Sequence, residues 1–334
     1  MAGKQFGNRQ SMGEFDLITR LFAPIADPES ALGLQDDAAC YTPPAHHDLI
    51  ISTDALVSGV HFPENAPADM VAARLVGTNV SDLAAKGARP VGCVLTLCVG
   101  PQWDSSYLEA FAAALKTHLD SHGLPLWGGD TVSGPTALVS LTVHGVVPRG
   151  EMLTRKGAGP EQDVYVTGTI GDGFLGLKEV QALDTDERAA LTSAYQAYAA
   201  PTPPLNFAQH LRALASCCMD VSDGLAADLD HLCAASGVAM DIALADLPLS
   251  EAADAYLGAG GSWQDLLSGG DDYQLIFCAA PAARDDLAVL AQNCDVRLTR
   301  IGMSKSAQSG PCRADFIDPD GQSLEIELRG FRHF

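Results

Sequence analysis

The chain has 334 residues, 47% hydrophobic and 19% charged, which is too apolar for a disordered chain and long enough for two domains with separate cores. A formal net charge of −22, with only 20 Lys and Arg, argues against a nucleic-acid or anionic-membrane surface, because phosphate backbones are held by clustered cations. An anionic ligand would need metal ions as intermediaries. Nine cysteines without a CxxC pair, most of them inside apolar runs, read as reduced core thiols. The polar stretch Met1 to Gln10 lacks the apolar core of a signal peptide, and no apolar run reaches the length of a membrane span, so the expected location is the cytoplasm.

Ser11 and Glu14 have capping-box spacing, and Phe15, Ile18 and Leu21 follow at helical spacing, which predicts a first helix. Asp48 to Ser52 predicts a short strand ending at Thr53-Asp54, Ala68 to Lys86 a long helix, and Gly92 to Val99 a strand. Ser106 to His122 predicts a helix opened by Ser106 and Glu109, and Ala137 to Val147 a long strand. Composition then turns to Gly, Pro, Arg and Lys between Pro148 and Pro160, which reads as a domain junction. Beyond it come a strand over Asp163 to Thr167, a helix over Phe174 to Leu183, a strand over Cys218 to Val221 and a helix ending at Ser236. Further strands are predicted over Tyr273 to Cys278, Val296 to Ile301 and Leu324 to Glu327. Alternating strands and helices on both sides of the junction predict two α/β domains, residues 1–149 and 150–334.

Aspartates gather at the ends of these runs: Asp36-Asp37, Asp54, Asp82, Asp130, Asp220, Asp223 and Asp271-Asp272. Carboxylates placed together repel one another unless cations sit among them. Short oxygen ligands beside Gly, Ser and Thr suit Mg²⁺, which binds one or two carboxylates, keeps waters and takes phosphate oxygens. Each piece also has a plain structural use. Ser52-Thr53-Asp54 fits a turn, Ser222 or Asp223 fits a helix cap, and Asn79, Asp82 and Lys86 share one helical face that a solvated stripe would also explain. Gly128-Gly129-Asp130 reads as a loop whose glycines let a phosphate approach the backbone. Gly171-Asp172-Gly173-Phe174-Leu175-Gly176 matches the dinucleotide spacing, but an aspartate inside it would face a pyrophosphate, so it reads as a tight strand-to-helix turn. Walker A, protein-kinase, HExxH and Gly-x-Ser-x-Gly signatures are absent from the sequence.

Taken in order, Gly13-Glu14-Phe15, Gly33 to Ala38, Ile51-Ser52-Thr53-Asp54, His61-Phe62, Asn79-Val80-Ser81-Asp82-Leu83-Ala84, Gly128 to Asp130, Leu153-Thr154-Arg155, Val166-Thr167-Gly168, Asp220 to Gly224, Gly269 to Tyr273 and Gly330 to Phe334 resemble the thiamine-monophosphate kinase family. That family shares a superfamily with aminoimidazole ribonucleotide synthetase and selenophosphate synthetase. The resemblance implies ATP-dependent phosphorylation of thiamine monophosphate with several Mg²⁺ ions and no dedicated acid or base. It implies a homodimer whose N-terminal α/β domains join in a β-barrel, and a C-terminal α/β domain that closes the cleft. By motif, Asp37, Ser52, Thr53, Asp54, Asp82, Asp130, Asp220 and Asp223 would hold Mg²⁺. Gly129, Asp130, Arg155 and Ser222 would contact ATP, and His61, Asp271 and Phe331 the thiamine phosphate. Two departures stand out: Gly269-Gly270-Asp271-Asp272-Tyr273-Gln274 replaces the usual Gly-Gly-Glu-Asp-Tyr-Glu, and Phe331-Arg332 replaces the usual Tyr or Trp and Asp. The alternatives are another ATP-dependent synthetase of the superfamily, or a non-catalytic divalent-cation protein that would leave Gly129, Arg155 and Ser222 without a role.

Overall fold

The computed structural model describes residues 13–182, 192–307 and 310–327. Ser11 and Phe331 lie outside them. Internal contacts divide the chain into a first unit of Met1–Thr42, Thr53–Asn79 and Pro90–His144, and a second of Pro43–Ser52, Val80–Arg89 and Gly145–Phe334.

The elements that begin the chain are α1 (Glu14–Leu17), β1 (His47–Val57), α2 (Ala68–Ala85), β2 (Arg89–Val99), α3 (Ser105–Ser121), β3 (Leu126–Ser133) and β4 (Leu138–Pro148). The four strands form one sheet in the order β1-β4-β2-β3, with β2 and β3 parallel. The expected first helix is only one turn of α-helix, which loosens into a π turn at Ile18–Phe22 and a 3₁₀ turn at Ala23–Ile25. Pro24 lacks an N–H and cannot continue the α-helical ladder. Helix α3 is capped by Asp104, whose side chain accepts the N–H of Tyr107, and not by Ser106 as the spacing predicted. Leu108, Phe111, Ala112, Leu115 and Leu119 form its buried stripe at helical spacing.

Two predicted strand ends are strand interiors. β1 runs on to Val57, so Thr53 and Asp54 sit within it, and Gly128, Gly129 and Asp130 lie inside β3 and not in a loop. Gly129 is needed there by the sheet itself, because a Cβ would stand 2.0 Å from the backbone oxygen of Leu95 on β2. Gly128 has open space at that position.

The second unit continues with β5 (Asp163–Thr167), α4 (Asp172–Ala182), α5 (Ser193–Ala199), α6 (Leu205–Leu211), β6 (Ala215–Asp220), α7 (Leu225–Ser236) and β7 (Val238–Ala243). It ends with α8 (Glu251–Gly258), α9 (Trp263–Ser268), β8 (Leu275–Ala279), α10 (Arg284–Asn293), β9 (Leu298–Ser306), β10 (Ala314–Ile317) and β11 (Ser323–Leu324). Its mixed sheet has the order β11-β10-β7-β9-β5-β8-β6.

Alternation along the strands gives this sheet two buried faces. Val164 and Val166 of β5, with Ile276 and Cys278 of β8, pack among Leu225, Leu229 and Leu232 of α7. Tyr165 and Phe277 point the other way, into a core with Phe207 and Leu211 of α6 and Leu287 and Ala291 of α10. Helices on both faces bury the centre of the sheet, which is why β5 and β8 read as continuous apolar runs. Ala84 and Ala85, the last residues of α2, belong to that second core together with Cys218 of β6. This packing sets Asp82 beside the end of β6.

Asp163 begins β5 with a fully buried side chain. Arg284 holds it with a two-pronged contact, Nε at 2.7 Å and Nη2 at 2.8 Å, and Arg300 adds a longer bond at 3.4 Å. The Arg284 bond holds its carboxyl below the usual range despite burial. All nine cysteines are free thiols, and Cys93, Cys217, Cys218, Cys233 and Cys278 are buried. Among the described residues no helix is long and apolar enough to cross a membrane.

Candidate active site

The second unit gathers its acidic groups where α2 and β6 end. Asp220, the last residue of β6, is 6% exposed and accepts a 2.8 Å bond from the Ser81 hydroxyl. The next residue on the helix, Asp82, accepts from the Ser52 hydroxyl. Burial pushes the Asp220 carboxyl above its usual range and the negative charge of Asp82 pushes it further, with Lys86 offsetting part of this. Serine hydroxyls are neutral donors, so these bonds do not cancel the negative charge of either carboxylate when it is ionised.

Past Asp220 the chain turns through Val221–Gly224 into α7. Gly224 precedes the helix with φ +109, and no side chain caps it, so neither Ser222 nor Asp223 serves as the cap. A residue the motifs did not single out organises the turn instead. Asp228, in the first turn of α7, accepts the N–H groups of Ser222 at 2.9 Å and Asp223 at 3.1 Å. It is 1% exposed, and burial, with the charges of Asp220 and Asp223 adding, pushes its carboxyl up to about 8. An acidic residue five or six positions beyond a Ser-Asp turn was the available signal.

The loop Gly269–Tyr273 is stitched to that turn. The Asp271 N–H donates to the Ser222 carbonyl at 2.9 Å and the Tyr273 N–H to the Val221 carbonyl at 2.8 Å. Asp271 is half-buried, sits at φ +64 and accepts a 3.1 Å bond from the Tyr273 hydroxyl. Ser222, Asp223 and Asp271 are therefore brought together. Arg155 is exposed; its carbonyl accepts from Ser236 Oγ at 3.0 Å.

In the first unit, Asp36, Asp37, Gly128, Gly129 and Asp130 border one cavity of about 390 Å³, with Trp127 on its apolar side. Asp37 and Asp130 are exposed carboxylates at its mouth. Trp127 itself is buried, with its ring stacked on Tyr41 and lying against His144. Elsewhere in this unit Asp54 is fixed through its backbone: its N–H donates to Asn79 Oδ1 at 2.9 Å, and its carbonyl accepts from Ser140 Oγ at 2.8 Å. Buried Asn79 in turn donates to the Leu75 carbonyl, so the helical face seen in the sequence is not a solvated stripe at this position. The Thr53 hydroxyl donates to the Leu141 carbonyl at 3.0 Å. His61 accepts the Val57 N–H on Nδ1 at 3.0 Å, which leaves the ring proton on Nε2.

Among the described residues, no three His, Cys, Asp or Glu side chains stand close enough to hold a metal ion by themselves. The arrangement is one of carboxylates bonded by serine hydroxyls.

Comparison with known proteins is consistent with this geometry. Residues 35–147 match the family described as AIR synthase related protein, N-terminal domain, and residues 159–310 match its C-terminal domain. The thiamine-monophosphate kinase of Salmonella typhimurium is 38% identical over 328 residues, covering 96% of this chain and 98% of the relative. The chain belongs to the thiamine-monophosphate kinase family. The crystal structure of the family member from Stenotrophomonas maltophilia K279a superposes with a TM-score of 0.82 at 39% identity, over 94% of this chain and 99% of that one. AaThiL, solved in complex with AMPPCP and TMP, superposes at 0.76 with 27% identity, over 99% of this chain and 100% of its own. The two-domain α/β architecture is thus that of the thiamine-monophosphate kinases.

Proposed function

We propose that this chain transfers the γ-phosphoryl group of ATP to the phosphate of thiamine monophosphate, giving thiamine diphosphate and ADP. The observation that carries the reading is membership of the kinase family over nearly the whole chain. The buried carboxylate of Asp220 at the end of β6, beside the charge of Asp82 and only partly offset by Lys86, supports it from the side of the chemistry.

An acceptor phosphate oxygen attacks the γ-phosphorus in line as the bond to the ADP oxygen breaks. The second ionisation of a phosphate monoester lies near pH 6, so the acceptor is largely nucleophilic at neutral pH and needs no dedicated base. What remains is to hold two polyanions together on a chain of net charge −22. Mg²⁺, when bound, supplies the charge that relieves their repulsion. The donor set fits it: buried Asp220 and half-buried Asp82 offer hard oxygens, and the side chains bonded to them are the neutral hydroxyls of Ser81 and Ser52. Asp37, Ser52, Thr53, Asp54, Asp82, Asp130, Asp220 and Asp223 would share the ions. Gly129, Asp130, Arg155 and Ser222 would meet ATP, with Arg155 adding a guanidinium at the phosphates. His61 and Asp271 would meet the thiamine phosphate, and Phe331 would pack on its ring.

The same reading assigns residues 1–149 to nucleotide, Mg²⁺ and dimer contacts, and residues 150–334 to closure of the cleft. It takes the working form to be a cytoplasmic homodimer whose N-terminal sheets join in a β-barrel. Edge strand β1 supports this, because it exposes Leu49 and Ile51 along a row of backbone groups open to another strand. Buried free thiols fit a reducing compartment.

Incubation with MgATP and thiamine monophosphate, followed by chromatography, tests the activity. Thiamine diphosphate is expected only when the monophosphate and Mg²⁺ are both present, with none from free thiamine; folded protein that yields no product under varied divalent metals overturns the proposal. Asp54→Asn is expected to cut turnover by roughly a hundredfold or more, the scale for losing one contact to developing phosphate charge. Its melting temperature should stay within about two degrees, since the side chain is exposed and surface changes are nearly neutral. Turnover equal to the parent's would remove Asp54 from the site.

A further inference from the structure

The turn Gly171–Gly176 has the dinucleotide spacing, yet its backbone donors are already occupied. The Gly171 N–H reaches both carboxylate oxygens of Asp272, at 3.0 and 2.9 Å, and the Gly173 N–H reaches Oδ1 at 3.0 Å. These donors open α4, where aligned backbone dipoles favour an anion. The anion is a side chain of this chain, 6% exposed. Burial pushes the Asp272 carboxyl up to about 7 against these bonds, and Asp172 and Asp271 are the like charges facing it. The Asp172 carboxylate is held apart by the hydroxyls of Thr169 at 2.6 Å and Ser250 at 2.5 Å.

The backbone next to Asp272 is one that the chain would not adopt unaided. Asp271 and Tyr273 have φ of +64 and +50, the left-handed region that side chains disfavour. Such a conformation persists only where its surroundings over-determine it. The loop also lies against the helix start, because a Cβ on Gly173 would stand 2.4 Å from the Asp271 carbonyl group.

We propose that Asp272 is the positioning residue of the thiamine phosphate site: its carboxylate fills the anion nest at the start of α4 and so fixes Asp271 in the left-handed conformation from which it meets the substrate. The assignment rests on the reading of Asp271 as a substrate contact. It gives the glycine-rich turn a purpose that nucleotide binding does not. A carboxamide in the nest would offer one acceptor oxygen where the carboxylate has two, and would bring N–H groups against donors.

Steady-state kinetics on Asp272→Asn, Asp271→Asn and the double variant test this, with hydrogen–deuterium exchange over residues 168–175 and 269–274. The expected result is a KM for thiamine monophosphate raised about tenfold in D272N, the scale seen when the group orienting a ligand contact is lost. The KM for ATP should stay within about twofold, and exchange over both segments should speed up. Because Asp272 acts through Asp271, the double variant should be no worse than D271N alone. Asp272→Glu, which keeps the charge, should recover part of the affinity, and it carries the test if D272N does not fold. Additive losses, or a fall in kcat with both KM values unchanged, overturn the assignment. Should D271N leave the KM for thiamine monophosphate unmoved, the reading of Asp271 falls and the assignment with it. A raised KM in D271N without one in D272N sinks the assignment alone.

Discussion

Replacing Asp220 by Asn is expected to reduce turnover by about a thousandfold or more while leaving the metal-free protein as stable as the parent or more so. The activity loss follows from removing a charged oxygen where the two phosphate chains must be brought together. The stability sign follows from the surroundings. Asp220 is buried, its carboxyl is pushed up by that burial and by Asp82, and the one side-chain bond it accepts, from the Ser81 hydroxyl, is equally available to an amide oxygen. Most buried polar changes lower stability, so the combination of lost activity and retained or raised stability is diagnostic. Chemical unfolding in EDTA, beside a turnover assay in excess Mg²⁺, reads both. Marked destabilisation of the variant would show that the carboxylate is structural.

Metal-free protein is also expected to gain stability as the pH is lowered from 8 to about 5. Burial raises the folded-state pKa of Asp228 to about 8 and of Asp272 to about 7, from an ordinary value of 3.8. Across the window between 3.8 and those values the native chain holds protons that the unfolded chain has released, so stability is greatest at the acid end and is lost as pH rises through 7 and 8. Each group contributes on the order of 1.4 kcal/mol per pH unit inside its window. Asp163 acts in the opposite sense: Arg284 lowers its pKa, so its contribution is present above the ordinary value and disappears only in stronger acid. Urea midpoints measured in EDTA at pH 5.5 and 8 decide the matter, and a midpoint equal or higher at pH 8 contradicts the expectation.

The sequence was most readable where periodicity is long. Ala68 to Lys86 was expected as a helix and is one from Ala68 to Ala85, and the strand over Asp163 to Thr167 has those bounds. It was least readable where polar residues sit in exposed strands. Ser52-Thr53-Asp54 looks like the end of a strand because turns use the same residues, yet edge strand β1 carries them along its length to Val57. Gly128-Gly129 looks like a loop, yet the nearness of the Leu95 carbonyl is what calls for glycine at 129.

Site residues followed the same division. Motif order picked out Asp82, Asp220 and Asp223, and the fold ties Asp82 to Ser52 and Asp220 to Ser81. Ser81 and Asp228 were not singled out as parts of the site, and Asp272, named among the gathered aspartates, was given no role of its own. Asp272 bonds to Gly171 and Gly173, which are about a hundred residues away, and no local pattern announces a partner at that range. Sequence spacing describes neighbours along one element, whereas these roles are set by which backbone donors the sheet order brings near.

That sheet order has a consequence for how the protein is made. Strand β5 lies between β8 and β9, so Asp163 pairs with Ala279 on one side and Met303 on the other. The centre of the second unit cannot close until nearly the whole chain has left the ribosome. Pairings this distant in sequence must overcome large loop-closure entropies before any contact rewards them, which makes their assembly slow. During that interval Val164, Val166 and Tyr165 stand exposed as a strand without neighbours, the state in which nascent chains are most open to wrong pairing and to capture by chaperones.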